Sequence, residues 1–456
     1  MPKKSFLSSE LLPLSLILIS GVFIRLLYFH FYPTMFIAID SYGYYGMGNG
    51  MVANPSLATL INPFRTPVYP VFISLLAKMS GNFNAAIGTP AFTQVSYLIM
   101  GVQSVISISA LLLFYMLLRQ TKIKKLYAFL FVLFESVNIA IFAWDKALIT
   151  ESFSLSWTLV MSYIAIHALK RPTTSRHVVL FVFGVIGILL RPSFAIVPLV
   201  VLVIIFLFHQ KANIRLQTAG TTCAYVLTVI AIAGINFVYH GYFGIQNISD
   251  INILGRILQF NLPVEAAKTI QPLYGYVIDY RSKNLEPMPY TFINYYNIDT
   301  YSSSAKLNTL KNFTQTVMRT NMVSYLALAF LDIPKAVLST DDLYRADTIP
   351  FPYTLLFTAV RWIRMASQYL SLAGLGIFPV AVIQFLRKPS FTQTAMFLVG
   401  SIGVAQVLVI VMLGPGYDYG RLLSSASPLL FLFSAYWFSQ IIVWLSRSLR
   451  NVIFPL

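Results

Sequence analysis

The chain has 456 residues, of which 57% are hydrophobic and only 10% are charged, and its mean hydropathy is +0.73. A typical soluble domain carries about 25% charged residues, so a soluble multidomain protein and a disordered chain are both excluded. The net charge of +17 is interpreted as lysines and arginines that anchor cytoplasmic loops and meet anionic lipid headgroups, which requires no nucleic acid. A basic cavity that binds a phosphate is a second explanation of the net positive charge.

Apolar runs recur to the end of the chain and predict an all-α, polytopic integral membrane protein with a single transmembrane domain, residues 1–456. About ten transmembrane helices are expected, near residues 10–32, 94–118, 126–144, 152–169, 178–190, 193–209, 217–239, 354–386, 391–413 and 423–446. The first is expected to be a retained helix, because no small-residue cleavage site is evident after it. The single cysteine, Cys223, lies within an apolar run and is predicted to be an inert buried thiol.

Every second connection between these helices is basic. By the positive-inside rule, these basic connections are expected on the cytoplasmic side. The basic residues are Lys3 and Lys4, then Arg119, Lys122, Lys124 and Lys125, then Lys170, Arg171 and Arg176, then Lys211 and Arg215, then Arg387 and Lys388, and finally Arg447 and Arg450. Both termini are therefore expected in the cytoplasm. The other connections are expected to face outward, and they contain nearly all the remaining charged residues.

The first outward connection, residues 33–93, contains the motifs FIAIDSYGYYGMG and INPFRTPVYPVF, with Asp40, Arg65 and Tyr69. A carboxylate at a membrane boundary is costly and usually functional. Asp40 is the best candidate for a general base. Desolvation raises the pKa of a carboxyl group and a nearby cation lowers it, and such tuning suits a group that deprotonates an acceptor hydroxyl or amine. The alternative is that Asp40 only caps a short helix that begins at Ser41.

Three arginines are expected at outward helix ends and could bind a phosphate or pyrophosphate together. Arg65 precedes a proline, Arg191 lies in LLRPSF, and Arg421 lies in LGPGYDYGRLL beside Tyr419, a supporting residue. The guanidinium group presents a planar pair of donors that matches phosphate oxygens. The alternative for each arginine is a boundary residue that extends its charge toward water.

The second outward connection, FAWDKALITES, is a tight turn with Asp145, Lys146 and Glu151. Either acid could orient an acceptor or contact a metal ion, and Lys146 could pair with one of them. Glu151 also begins a helix, where a carboxylate is favourable without any catalytic role. Arg25 and Glu135, inside the first and third helices, are expected to form a structural pair.

The long connection of residues 240–350 is the part of the chain most like a soluble protein. Its amphipathic stretches predict interfacial helices packed on the membrane domain rather than an independent domain.

In this order, the motifs FIRLLY, IDSYGYY, RTPVYPVF, ITES, LLRPSF and YDYGRLLSSASPLL resemble the C-type glycosyltransferase superfamily, and in particular its protein mannosyltransferase and lipid A aminoarabinose transferase branch. The resemblance implies a polyprenyl-phosphate sugar as donor, arginines on its phosphate, and Asp40 as the catalytic base of an inverting displacement. Dolichol-linked relatives often have Asp-Glu where this chain has Asp40-Ser41. No cofactor is therefore certain, and a divalent metal ion, Mg²⁺ or Mn²⁺, stays open.

The expected activity is that of a hexosyl- or pentosyltransferase acting on a glycan, lipid or protein acceptor at the periplasmic or extracellular face. A bacterial inner membrane is the expected location. A lipid-linked glycan polymerase or flippase is the alternative. A secondary transporter is disfavoured because the polar residues cluster at one face rather than at mid-membrane.

Overall fold

The computed structural model describes residues 6–121, 123–298, 304–339, 350–387, 389–414, 416 and 418–453. Its α-helices are, in chain order, α1 (Phe6–Phe31), α2 (Ile39–Ala53), α3 (Leu57–Leu60), α4 (Val68–Met79), α5 (Pro90–Gln120), α6 (Lys125–Ser136), α7 (Ile139–Phe142), α8 (Glu151–Lys170), α9 (Thr174–Leu190), α10 (Ile196–Phe208), α11 (Ala212–His240), α12 (Ile248–Gln259), α13 (Leu273–Ser282), α14 (Pro289–Tyr295), α15 (Ser304–Thr320), α16 (Met322–Leu331), α17 (Ile333–Leu338), α18 (Tyr353–Leu386), α19 (Phe391–Leu413), α20 (Tyr419–Leu422) and α21 (Ser427–Ile453). Lys3, Lys4, Lys122 and Lys388 of the charge pattern lie outside the described residues, as do residues 340–349 of the long connection.

Within the described residues, six helices are long and apolar enough to cross a membrane, and three bent helix pairs raise the number to nine if each pair is one span. These six long helices coincide with six of the spans that the sequence predicts. The predicted spans 126–144 and 423–446 are bent pairs, with bends of 54° and 65°. Helices α9 and α10, predicted as spans 178–190 and 193–209, are shorter. A third bent pair, Lys306–Thr320 with Met322–Leu338, lies in the long outward connection. The predicted number of about ten spans is therefore not confirmed.

The ends of several helices follow directly from the local sequence. Thr89 accepts a hydrogen bond from the backbone N–H of Phe92 and is followed by Pro90, the first residue of α5. Ser390 and Gln393 form reciprocal cap hydrogen bonds at the start of α19. Gly241 ends α11 with φ +65°, a left-handed conformation that favours glycine.

The central packing depends on glycines that face aromatic rings. A Cβ atom on Gly187 would come within 2.2 Å of Trp157, and one on Gly400 would come within 2.3 Å of Phe433. The Trp157 ring stacks on Phe194 with centroids 4.4 Å apart. The contact between Gly187 and Trp157 holds α8 and α9 close together, so Arg191, which follows α9, lies beside Glu151 at the start of α8.

The segment of residues 33–93, which we call the first outward segment after its predicted side, is a helical hairpin rather than an open loop. Helices α2 and α4 pack together, and Gly48 approaches Pro70 so closely that a Cβ atom would lie 2.2 Å from the proline carbonyl oxygen. Asp40 lies in the first turn of α2, and Arg65 lies just before α4. The hairpin therefore brings the two residues together across 25 positions of sequence.

The segment of residues 240–350, which we call the long outward segment after its predicted side, has its own cluster of buried apolar side chains and also packs on the apolar helices. Ile251, Leu254, Val277, Phe292 and Phe313 belong to this cluster. Helices α12 and α16 contact α19, and α17 contacts both α18 and α19. The prediction of helices in this segment is confirmed. The predicted buried position of Cys223 is wrong, because the structure places it on an exposed face of α11.

Candidate functional site

A cavity of about 660 Å³ lies where the first outward segment meets α9 to α12, α15 and the segment that connects α19 to α20. One part of its lining is charged, with Asp40, Arg65, Arg191, Asp418 and Arg421. Another part is apolar and comes from the membrane helices, with Leu199, Val226, Val229, Ile230, Val409 and Leu413. Val226 and Ile230 are 39% and 51% exposed, so this wall reaches the outer surface of the helices.

Asp40 is held by two arginines, and its side chain is 25% exposed. Arg65 donates to one carboxylate oxygen at 2.7 Å, and Arg421 lies 3.4 Å from the other. The predicted alternative of a helix cap is wrong, because the hydroxyl of Ser41 accepts the hydrogen bond from the Ala38 N–H at the start of α2. The carboxylate of Asp40 is therefore directed to the arginines rather than to the helix end.

Arg65 and two tyrosines support the position of Asp40. The Arg65 guanidinium lies 4.9 Å from the centre of the Tyr44 ring, a favourable cation–π contact. Burial raises the pKa of Tyr44, and the charge of Arg65 opposes this effect. Tyr69 meets Tyr44 edge-on, with centroids 5.4 Å apart, and donates a hydrogen bond of 2.9 Å to Gln103. Tyr69 thus lies behind the cavity lining, and its supporting role stays a prediction.

Glu151 joins the two other predicted arginines. Its side chain is 2% exposed, and its Oε1 atom lies 3.4 Å from both Arg191 and Arg421. Glu151 is the first residue of α8, so the helix dipole also stabilises its charge. Arg191 follows the last turn of α9, with its backbone N–H bonded to Gly187.

Arg421 is shared by three carboxylates. It lies 2.7 Å from Asp418, 3.4 Å from Asp40 and 3.4 Å from Glu151. We call this set the guanidinium cluster, composed of Arg65, Arg191, Arg421, Asp40, Glu151 and Asp418. Its three positive and three negative charges cancel. An anion that enters the cavity must therefore compete with these carboxylates for the guanidinium groups.

The structure corrects the predicted position of Asp145, which does not line the cavity. Its carboxylate is fully buried and accepts hydrogen bonds from Arg25 at 2.6 Å, Ser107 at 2.6 Å and Ser152 at 2.5 Å. The predicted pair of Arg25 with Glu135 is wrong for the same reason, because Arg25 already pairs with Asp145. Glu135 instead accepts a hydrogen bond of 3.0 Å from Asn138.

The turn that contains Asp145 and Lys146 acts on the site through its backbone. The N–H of Phe36 donates to the carbonyl of Lys146, and the N–H of Leu148 donates to the carbonyl of Phe36, both at 3.0 Å. Phe36 precedes Asp40 by four residues. The Lys146 ammonium lies over the rings of Tyr28 and Tyr32, and it forms no ion pair with any residue that the structure describes. The predicted pairing of Lys146 with a neighbouring acid is therefore wrong.

Tyr419 also lies outside the cavity lining. It is fully buried, and its hydroxyl donates at 2.9 Å to Asp332, which accepts a further hydrogen bond of 2.7 Å from Arg256. The Arg256 guanidinium lies 5.1 Å from the centre of the Tyr419 ring. This network connects α20, which carries Arg421, to the long outward segment.

Sequence reasoning missed a second polar group of the cavity lining. Tyr242, Asp250, Asn252, Lys311 and Gln315 all line the cavity, and we call them the linker cluster because Tyr242 lies in the connection between α11 and α12. The spacing of four between Lys311 and Gln315 in a predicted amphipathic helix was the available signal. Burial raises the pKa of Asp250, and the hydrogen bond from Tyr242 opposes this effect.

The arrangement of the donor groups bears on the predicted option of a divalent metal ion. In the part of the chain that the structure describes, no group of three His, Cys, Asp or Glu side chains is arranged to hold a metal ion. The carboxylates of the guanidinium cluster point at arginines, which would repel a cation. Among the described residues, the donor groups therefore do not fit a metal site.

No family model and no curated protein matches the chain. The oligosaccharyltransferase AglB of Archaeoglobus fulgidus, solved with an inhibitory peptide and a dolichol-phosphate, matches with a TM-score of 0.48 and 12% identity over 98% of this chain and 52% of that chain. The Archaeoglobus fulgidus oligosaccharyltransferase tethered to an acceptor peptide matches with a TM-score of 0.46 and 12% identity over 99% of this chain and 52% of that chain. The apo form of that oligosaccharyltransferase matches with a TM-score of 0.45 and 13% identity over 99% of this chain and 53% of that chain. This chain spans about half the length of each of these solved chains.

Proposed function

We propose that this protein is a membrane glycosyltransferase that transfers a sugar from a polyprenyl-phosphate donor to a glycan, lipid or protein acceptor on the outward face. The observation that carries the proposal is a cavity lined both by charged residues of the guanidinium cluster and by an apolar wall of α10, α11 and α19; the charged residues are Asp40, Arg65, Arg191, Asp418 and Arg421. A lipid phosphate needs both kinds of surface, because its headgroup is anionic and its chain is apolar.

In this proposal, Asp40 is the general base of one inverting displacement. The acceptor oxygen or nitrogen forms a bond to the anomeric carbon, while the bond from that carbon to the phosphate oxygen breaks. The acceptor proton moves to the Asp40 carboxylate, and the bonding pair leaves with the polyprenyl phosphate. Arg65, Arg191 and Arg421 stabilise the charge that develops on that phosphate.

The charge balance of the guanidinium cluster indicates the order in which the donor binds and the proton is transferred. Before the donor binds, Arg65 and Arg421 both contact the Asp40 carboxylate. A donor phosphate takes hydrogen bonds from the same guanidinium groups and draws them away from the carboxylate. The Asp40 carboxylate is therefore free to take the acceptor proton only when the donor is in place, which limits proton transfer in the absence of donor.

The test is transfer by purified protein in lipid nanodiscs, with radiolabelled polyprenyl-phosphate sugars as donors. Loss of a general base typically lowers the rate by about 10²- to 10⁴-fold, so Asp40→Asn is expected to lose at least about 100-fold in kcat and to keep donor binding. Asp279→Asn is the matched control, because Asp279 is an exposed carboxylate of the outward segment paired with Lys283.

Two results would contradict the proposal separately. Full activity of Asp40→Asn would remove Asp40 from the role of base. Absence of transfer by the unaltered protein, across hexose and pentose donors and lipid, glycan and peptide acceptors, would contradict glycosyl transfer itself.

A further inference from the structure

We propose that the linker cluster binds an uncharged, hydroxyl-rich saccharide ring beside the phosphate position. This inference rests on the proposed function in assigning the guanidinium cluster to a lipid phosphate. The linker cluster lies next to that position, because Gln246 donates a hydrogen bond of 2.8 Å to the carbonyl of Phe64, the residue before Arg65. The N–H of Asn247 also donates to the carbonyl of Pro63, at 2.7 Å.

The linker cluster is a preorganised polar surface. The Tyr242 hydroxyl donates to Asp250 at 2.8 Å and lies 3.2 Å from the carbonyl of Gln246. The Lys311 ammonium lies 4.9 Å from the centre of the Tyr242 ring and donates to the carbonyl of Phe243. Asp250 is buried, so its orientation is restricted before any ligand arrives.

Two amide side chains of the same surface have hydrogen-bonding capacity to offer. Asn252 and Gln315 are half-buried in the cavity lining, and neither side chain forms a hydrogen bond with any residue that the structure describes. Each amide group supplies two donors and one acceptor. Polar groups inside a cavity are normally hydrogen-bonded, and alternating donors and acceptors match the hydroxyl groups of a sugar.

Charge balance selects an uncharged ring. Asp250 is the acidic residue of the linker cluster, and Lys311 is the basic one. Both residues contact Tyr242 and offset each other's charge, so an amino sugar or a uronic acid would add a charge to the cavity without a partner of its own. Tyr242 and Tyr290 also line the cavity and supply apolar ring faces for the C–H surface of a sugar.

Protection of an introduced cysteine tests this inference without any need for turnover. In a Cys223→Ala background, Gln315→Cys reports on the linker cluster, and Asn312→Cys is the control, because Asn312 is exposed on the same helix. Maleimide labelling is followed in nanodiscs with polyprenyl phosphate, with its mannose, glucose and galactose conjugates, with its 4-amino-4-deoxyarabinose conjugate, and with soluble neutral oligosaccharides. Asn252→Cys serves as the second reporter.

A neutral conjugate is expected to slow labelling of Gln315→Cys by about 5-fold when about four fifths of the sites are occupied. Bare polyprenyl phosphate is expected to leave it unchanged, and Asn312→Cys is expected to label equally throughout. Protection by the lipid conjugate assigns the ring to the donor, whereas protection by soluble oligosaccharide assigns it to the acceptor.

Three results would overturn the inference: equal protection by bare polyprenyl phosphate, protection by the amino sugar conjugate alone, or no protection by any neutral saccharide. Protection without measurable transfer would contradict the proposed transferase activity and leave the saccharide site in place, so the two failures are distinguishable.

Discussion

At the scale of single residues, Asp145 shows why a costly charge in an apolar chain does not by itself identify a catalytic group. Asp145 lies in the short 3₁₀ helix Ala143–Lys146 and Asp40 lies in the first turn of α2, both in predicted outward connections, and both are carboxylates in apolar surroundings. Asp145 is completely enclosed by Arg25, Ser107 and Ser152. Asp40 is partly exposed and faces a cavity. Solvent access, rather than residue type, separates a structural ion pair from a candidate base.

The Arg25–Asp145 pair makes a direct prediction about stability. Removal of one partner from a buried ion pair leaves an uncompensated charge and costs about 3–5 kcal/mol. Arg25→Met is therefore expected to lower the thermal unfolding temperature of the purified protein markedly. The double variant Arg25→Met/Asp145→Leu is expected to recover part of this loss, because neither charge remains.

Asp279→Asn again serves as the control, since an exposed ion pair contributes at most about 1 kcal/mol. Equal unfolding temperatures for Arg25→Met and the unaltered protein would show that the pair is not a stabilising element.

At the scale of elements, the long outward segment does more than line the cavity, because it holds one of the charged residues in place. Helix α20 has only four residues and carries Arg421. Its position depends on Tyr419, which is tied to Asp332 at the start of α17 and, through Arg256, to α12. Tyr419 is thus a positioning residue, which acts on the site through Arg421.

Tyr419→Phe is expected to weaken the binding of polyprenyl phosphate, because a looser α20 no longer fixes Arg421. Loss of one hydrogen bond corresponds to about 0.5–1.5 kcal/mol, so the Kd is expected to rise by about 2- to 10-fold. The rate at saturating donor is expected to change little.

Arg421→Ala is the reference, since it removes the phosphate contact itself and should raise the Kd further. A fall in kcat with an unchanged Kd in Tyr419→Phe would contradict a positioning role for this residue.

At the scale of the whole molecule, the charge pattern predicts which face of the membrane carries the cavity. The connections between α4 and α5 and between α8 and α9 are expected on opposite sides. Ala86 and Ser175 are exposed in or beside these two connections. In a Cys223→Ala background, a membrane-impermeant maleimide is expected to label Ala86→Cys in intact cells.

Ser175→Cys is expected to react only after the cells are permeabilised. The reverse pattern would place the guanidinium cluster in the cytoplasm and would contradict the outward location of the proposed activity. Labelling of both positions in intact cells would indicate leaky cells, which a cytoplasmic marker enzyme detects.

The sequence by itself indicated the helical class, most helix positions and every residue of the guanidinium cluster except Asp418, because apolar run length, capping residues and arginines at helix ends are local properties. It did not determine that α6 with α7, and α20 with α21, are bent pairs. Their breaks depend on packing against neighbouring helices rather than on hydropathy alone.

Only the tertiary structure decided which charges meet. Asp40 and Arg421 are 381 positions apart and lie 3.4 Å from each other, whereas Asp145 turns away to Arg25 and Tyr419 turns away to Asp332. The linker cluster likewise exists only because α12 and α15 pack together beside the connection after α11. The partner of a buried charge is set by the packing of distant helices, since no local pattern specifies which of several carboxylates a guanidinium will reach.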